Sequence, residues 1–177
     1  MPGTAAAPAR RILLIGYGNP GRGDDGLGPA LAAEIETLGI NGVTVDIDYQ
    51  LTVDHAALIA AHDVVVFADA MIGLAVPFRF AEVDAAQPTT LGSHQVSPEA
   101  ALALARMLFG QAPPGWILAI AGDAFGEVKE GLSPAARDNL GGAVAFLRDW
   151  LDADLRDWID AESATGSVPF AAKYRLE

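Results

Sequence analysis

Residues 15–28 read IGYGNPGRGDDGLG, and within them Gly16, Gly18 and Gly21 have the GxGxxG spacing of a dinucleotide-binding loop. Two adjacent carboxylates, Asp24 and Asp25, stand where the phosphates of such a ligand would lie. A phosphate loop ends on the free N–H groups and positive dipole end of a helix, so carboxylates at that point occupy or repel the anion. Pro20, Gly21, Arg22 and Gly23 delay any helix to residues 24–26, which favours a cation or plain helix capping over a phosphate. Asp46 or Asp48 superficially supplies the ribose-binding acid of the dinucleotide fingerprint, and an NAD-type oxidoreductase stays open as the weaker alternative.

Two further residues have chemistry to match. Asp69 closes the apolar run DVVVFADA (63–70), and His94 precedes the helix-start signal at Ser97. Asp25, Asp69 and His94 make a two-oxygen, one-nitrogen set with open coordination positions, suited to a divalent transition metal such as zinc or nickel. The chain has no cysteine, which removes disulfides, thiolate metal sites and a cysteine nucleophile together. His55 and His62 fall on one short helical stretch and read as surface residues; Asp123 and Glu127, in GDAFGE (122–127), read as solvated loop acids near the same edge.

Alternating β and α segments must position these groups. RRILLIG carries a buried strand over 11–16, GLGPALAAEIETLG a helix with Leu27, Leu31 and Ile35 on one face, and VTVDID (43–48) a second strand. DHAALIAAH (54–62) is a short helix capped by Asp54, and 63–70 a third strand buried on both faces. The fourth, VPFRFAEVD (76–84), follows the third too closely for a parallel crossover and must pair antiparallel. A helix over 97–110 capped by Ser97, a strand over 116–122 and a last helix over 133–151 complete the order. The pattern predicts a three-layer α/β/α fold around a twisted, mostly parallel five-stranded sheet with one antiparallel strand. Ligands of such folds sit at the carboxyl ends of the parallel strands, where Asp25 and Asp69 converge. The fourth strand ends on the opposite edge, and about 12 residues at ~3.3 Å each suffice to bring His94 back.

The 177 residues fit one domain over 11–151, with a flexible tail over 1–10 and a partly mobile extension over 152–177. Hydrophobic residues make up 51% and charged ones 19%, an ordinary globular balance. A net charge of -12 argues against nucleic acid and anionic membrane as partners. No apolar run is long enough to span a bilayer, and MPGTAAAPAR lacks the pattern of a secretory signal, so a cytoplasmic location is expected.

Taken in order, GYGNPGRGDDGLG, VVVFADA and SHQVSP resemble the endopeptidases that mature [NiFe] hydrogenases, over residues 11–150. The resemblance implies a hydrolase that removes the C-terminal extension of the hydrogenase large-subunit precursor once nickel has been inserted. It places the catalytic and metal-binding roles on Asp25, Asp69 and His94, with Asp24 as a supporting residue whose loss is milder. It also implies that the nickel carried by the substrate is the recognition element and that no zinc is resident. Neither HExxH nor GxSxG occurs, so water is the expected nucleophile; whether the metal polarises the scissile carbonyl or activates that water stays open. DYQLTVDHA (48–56) replaces the DGGT-like turn of relatives serving membrane-bound hydrogenases, which points to a soluble partner. A non-cleaving checkpoint that senses nickel is the alternative on the same residues.

Overall fold

The computed structural model describes residues 10–84, 96–126 and 128–165. The chain runs β1 (Ile12–Tyr17), a 3-10 turn (Gly23–Gly26), α1 (Leu27–Leu38), β2 (Val43–Asp48), α2 (His55–Ala60) and β3 (Val64–Ile72). It continues through β4 (Phe78–Glu82), α3 (Pro98–Phe109), β5 (Gly115–Gly122) and α4 (Pro134–Thr165). The five strands are ordered β2-β1-β3-β5-β4, with only the β4–β5 pair antiparallel.

The period of two along β1 and β3 builds the three layers. Ile12, Leu14, Val64 and Val66 face α1 and α4, whereas Leu13, Ile15, Val65 and Phe67 face α2 and α3. All eight are fully buried, the reason these strands carry unbroken apolar runs. Close approach of α1 to β1 requires glycine at both Gly16 and Gly28: a Cβ on Gly28 would collide with the carbonyls of Tyr17 and Ala68, and one on Gly16 with the carbonyl of Gly28. Ser97 caps α3, accepting from the Ala100 N–H at 3.2 Å, and Ser133 caps α4, accepting from the Ala136 N–H at 3.1 Å.

Several sequence expectations need correction. The short connection makes β4 antiparallel, but its partner is β5, which inserts between β3 and β4. An aromatic cluster fixes β4 at this outer position, with Phe80 stacked on Trp116 at 5.1 Å and in edge contact with Phe146 and Trp150. β3 does not stop at Ala70 but runs to Ile72, and α4 passes residue 151 to reach Thr165. Arg10 is buried in an ion pair with Asp154 at 2.6 Å. Asp54 makes no capping bond; its backbone already lies in the helical region.

His55 is buried, not a surface residue. The Thr52 N–H donates to its Nδ1 at 3.0 Å, which leaves Nε2 to face Asp46 at 3.2 Å and Asp48 at 3.8 Å. Those two carboxylates project from one face of β2 and serve this histidine instead of a ribose.

Candidate active site

Between β1 and α1 the glycine loop folds over the start of the helix. Gly18 has φ of +141°, and any side chain there would strike the Asp25 carbonyl, so the turn is closed to other residues. The Asn19 N–H donates to Asp25 Oδ2 at 2.9 Å and the Gly21 N–H to Asn19 Oδ1 at 2.9 Å, which fixes the Asp25 carboxylate. Pro20 packs against Gly26, the residue directly before α1.

The adjacent acids part company in the 3-10 turn. With three residues per turn, consecutive side chains point about 120° apart. Asp24 turns inward and is fully buried; its Oδ2 accepts from the Asp123 N–H, the Ala124 N–H and the Ser133 hydroxyl, each at 2.9 Å, and its Oδ1 from the Ser133 N–H at 2.7 Å. Burial alone would raise its pKa, but these donors outweigh burial and hold the carboxyl below the usual range. The carboxylate therefore ties the glycine loop to the segment leading into α4. Asp123 contributes only its backbone to this tie, and its side chain is exposed.

Asp25 turns to the cleft. A cavity of about 390 Å³ opens at the carboxyl end of the sheet, lined by Asp25 and Asp69 together with Tyr17, Tyr49, Met71 and Phe125 among others. Tyr17 was not singled out from the sequence, yet β1 and β3 pair in register up to Gly16 and Ala68, so the next residues, Tyr17 and Asp69, fall side by side. The Tyr17 hydroxyl donates to the Asp69 carboxylate, and the Ala70 N–H donates to Asp69 Oδ1 at 2.8 Å.

Burial lifts the Asp69 pKa to about 6; Tyr17 and Ala70 pull it down, and the nearby Asp25 charge pushes it further up. A carboxyl with that pKa exchanges a proton near neutrality, as a general acid or base must. Burial and the Asp69 charge raise the Tyr17 pKa, so its hydroxyl remains a donor. His94 and Glu127 lie outside the described residues, and among the described residues no three His, Cys, Asp or Glu side chains gather as a metal site.

A stability effect follows from Asp69. Between an unfolded value near ~3.9 and the folded value of about 6, the folded protein holds a proton that the unfolded chain has lost. Its contribution is complete below pH ~4 and is lost as pH rises through about 6, a change of ~3 kcal/mol. Urea unfolding of the metal-free protein at pH 4 and pH 7.5 should show that change in the difference between wild type and Asp69→Asn. A difference independent of pH would mean that Asp69 titrates normally.

A domain of this layering, with one carboxylate from the β1–α1 connection and one from strand β3 facing one cleft, has the fold of the hydrogenase-maturation endopeptidases. The hydrogenase-maturating endopeptidase HybD from E. coli superposes with a TM-score of 0.62 at 19% identity, covering 81% of this chain and 93% of its own. The [NiFe] hydrogenase maturation protease HycI from Thermococcus kodakarensis gives 0.64 at 21% identity, over 82% and 95%. An uncharacterized protein from Wolinella succinogenes gives 0.58 at 26% identity, over 82% and 99%. No protein-family model matches the chain, and no curated protein does.

Proposed function

We propose that this protein is the cytoplasmic endopeptidase that removes the C-terminal extension of a [NiFe] hydrogenase large-subunit precursor after nickel insertion. The observation carrying this reading is the convergence of Asp25 and Asp69 on one cleft at the carboxyl end of the sheet, in a fold shared with hydrogenase-maturation endopeptidases. Carboxylate oxygens are fitting ligands for a divalent ion, and His94 is the third member of the proposed set. In this reading Asp25, fixed by Asn19, and Asp69, held by Tyr17 and Ala70, meet the nickel carried by the substrate. A carboxylate takes the proton of the attacking water; the chain has no cysteine to act in its place. Metal here belongs to the substrate and not to a resident zinc centre.

Incubation with nickel-loaded precursor, followed by mass spectrometry, tests the proposal. Loss of the extension is expected with nickel-loaded precursor and not with nickel-free precursor, and zinc supplied to the enzyme should not replace nickel. Brief chelation of the enzyme alone should leave cleavage intact. A tightly held stoichiometric zinc whose removal abolishes activity and whose return restores it would overturn the substrate-metal mechanism. A stable complex with uncut precursor would identify a nickel-sensing checkpoint instead.

A further inference from the structure

β3 is longer than its neighbour on one side. β1 pairs with it only as far as Ala68, while β5 accompanies it to Ile72, so among the described residues no strand lies along the β1 side of residues 70–72. The Val64 N–H points to β1, bonding Arg11 O, and the Val65 N–H to β5, bonding Pro114 O. Alternation along the strand then turns the N–H and C=O of Ala70 and Ile72 to the open side. The Ala70 N–H is already taken by Asp69 Oδ1. Among the described residues the carbonyl of Ala70 and both the N–H and the carbonyl of Ile72 remain, and Ala70, Met71 and Ile72 all line the cavity that holds Asp25 and Asp69.

The true borders of the sheet are protected. The outer strands carry charges, Asp46 and Asp48 on β2 and Arg79 and Glu82 on β4, the usual guard against unwanted pairing. The inner edge carries none. Ile72 is 71% exposed and Met71 40%, an apolar, unguarded edge opening on the site.

We infer that this edge takes the substrate as an added strand: the C-terminal extension of the precursor lies along residues 70–72, parallel to β3. The inference rests on the endopeptidase reading above and adds how the chain to be cut is held. In a parallel pair, one peptide residue opposite Met71 donates its N–H to the Ala70 carbonyl and accepts from the Ile72 N–H, which leaves the Ile72 carbonyl for the peptide N–H two residues on. Tyr17 fills the place beside Asp69, so the earlier peptide residues leave the strand there and pass over the cavity that Asp25 and Asp69 line. The anchored residue therefore belongs to the piece removed, and the bond to be cut lies on its N-terminal side.

Ile72→Pro tests this directly. It deletes the edge N–H without touching a bond to β5, because that N–H points away from β5, and proline is tolerated at such strand positions. With nickel-loaded precursor, kcat/KM should fall about tenfold or more, chiefly through KM, while Ile72→Ala, which keeps the N–H and loses only side-chain contact, should lose clearly less. Wild-type rates from a folded Ile72→Pro protein, or an equal loss in Ile72→Ala, would overturn the inference. Hydrogen exchange at the Ile72 amide of wild type, held saturated with precursor, gives a readout that does not depend on the variant folding. Slowing by about tenfold or more is expected, and unchanged exchange would overturn the inference, as would a wild-type dimer that protects this amide without precursor. Failure of wild type to cut the precursor at all would count against the endopeptidase reading, and the exchange measurement would still report on the edge.

Discussion

Asp24→Ala should lower the stability of the protein by about 4 kcal/mol and its melting temperature by roughly 10–15 °C. The substitution leaves the N–H groups of Asp123, Ala124 and Ser133 and the Ser133 hydroxyl without an acceptor in a fully buried place. Each orphaned donor costs on the order of 1–3 kcal/mol, and the sum is sub-additive because relaxation and entering water relieve part of it. Asp24→Asn should cost about half as much: one oxygen can still serve the three donors at Oδ2, but the amide then faces the Ser133 N–H. Its carboxylate stays charged well into acid, so the Asp24 contribution is present above the ordinary carboxylate range and lost as pH falls through its lowered folded value. Processing by Asp24→Ala should recover on cooling, because the defect lies in holding the glycine loop to the start of α4. Urea and thermal unfolding at pH 7 decide the matter, and a loss below about 1 kcal/mol would show that the buried tie contributes little.

The order of elements and the three layers were legible because apolar periodicity and start signals at Ser97 and Ser133 depend on local chemistry. The strand neighbours were not. The five residues between β3 and β4 settle direction, whereas the choice of β5 as partner depends on Phe80 meeting Trp116, Phe146 and Trp150, contacts made by distant segments. The end of β3 is not legible for a related reason: Asp69 breaks the apolar run, but β5 still holds the strand through Ile72. Asp46 and Asp48 carried a readable signal, two acids two residues apart on one strand face ahead of a histidine, but only the fold brings His55 between them.

The identical neighbours Asp24 and Asp25 posed the hardest problem. Nothing in their residue type separates them, and the division of labour comes from the 3-10 turn that points one inward and the other to the cleft. Their distinct roles are therefore a property of backbone geometry. The motif holds both: Asp25 faces the cleft, and Asp24, one residue earlier, anchors the loop that presents it.

Asp25→Asn and Asp69→Asn should each reduce processing of nickel-loaded precursor by about 10³-fold or more, since each removes a carboxylate that the proposed chemistry uses as ligand or base. Both proteins should remain folded. In Asp25→Asn the amide oxygen still accepts from the Asn19 N–H, so the loop keeps its bond. In Asp69→Asn the buried charge is gone, and at pH 8 the variant should be at least as stable as wild type, since burial has lifted that carboxyl to about 6. The variant that loses function thus keeps or gains stability, the reverse of Asp24→Ala, and that opposition separates the site from its scaffold. If the two acids act as one unit, the double variant should be no slower than the worse single one. Initial rates at 15 °C and 30 °C, with melting temperatures alongside, distinguish the cases. Full processing by either Asn variant would remove that residue from the mechanism, and an Asp24→Asn protein that melts normally but does not process would transfer the chemical role from Asp25 to its neighbour.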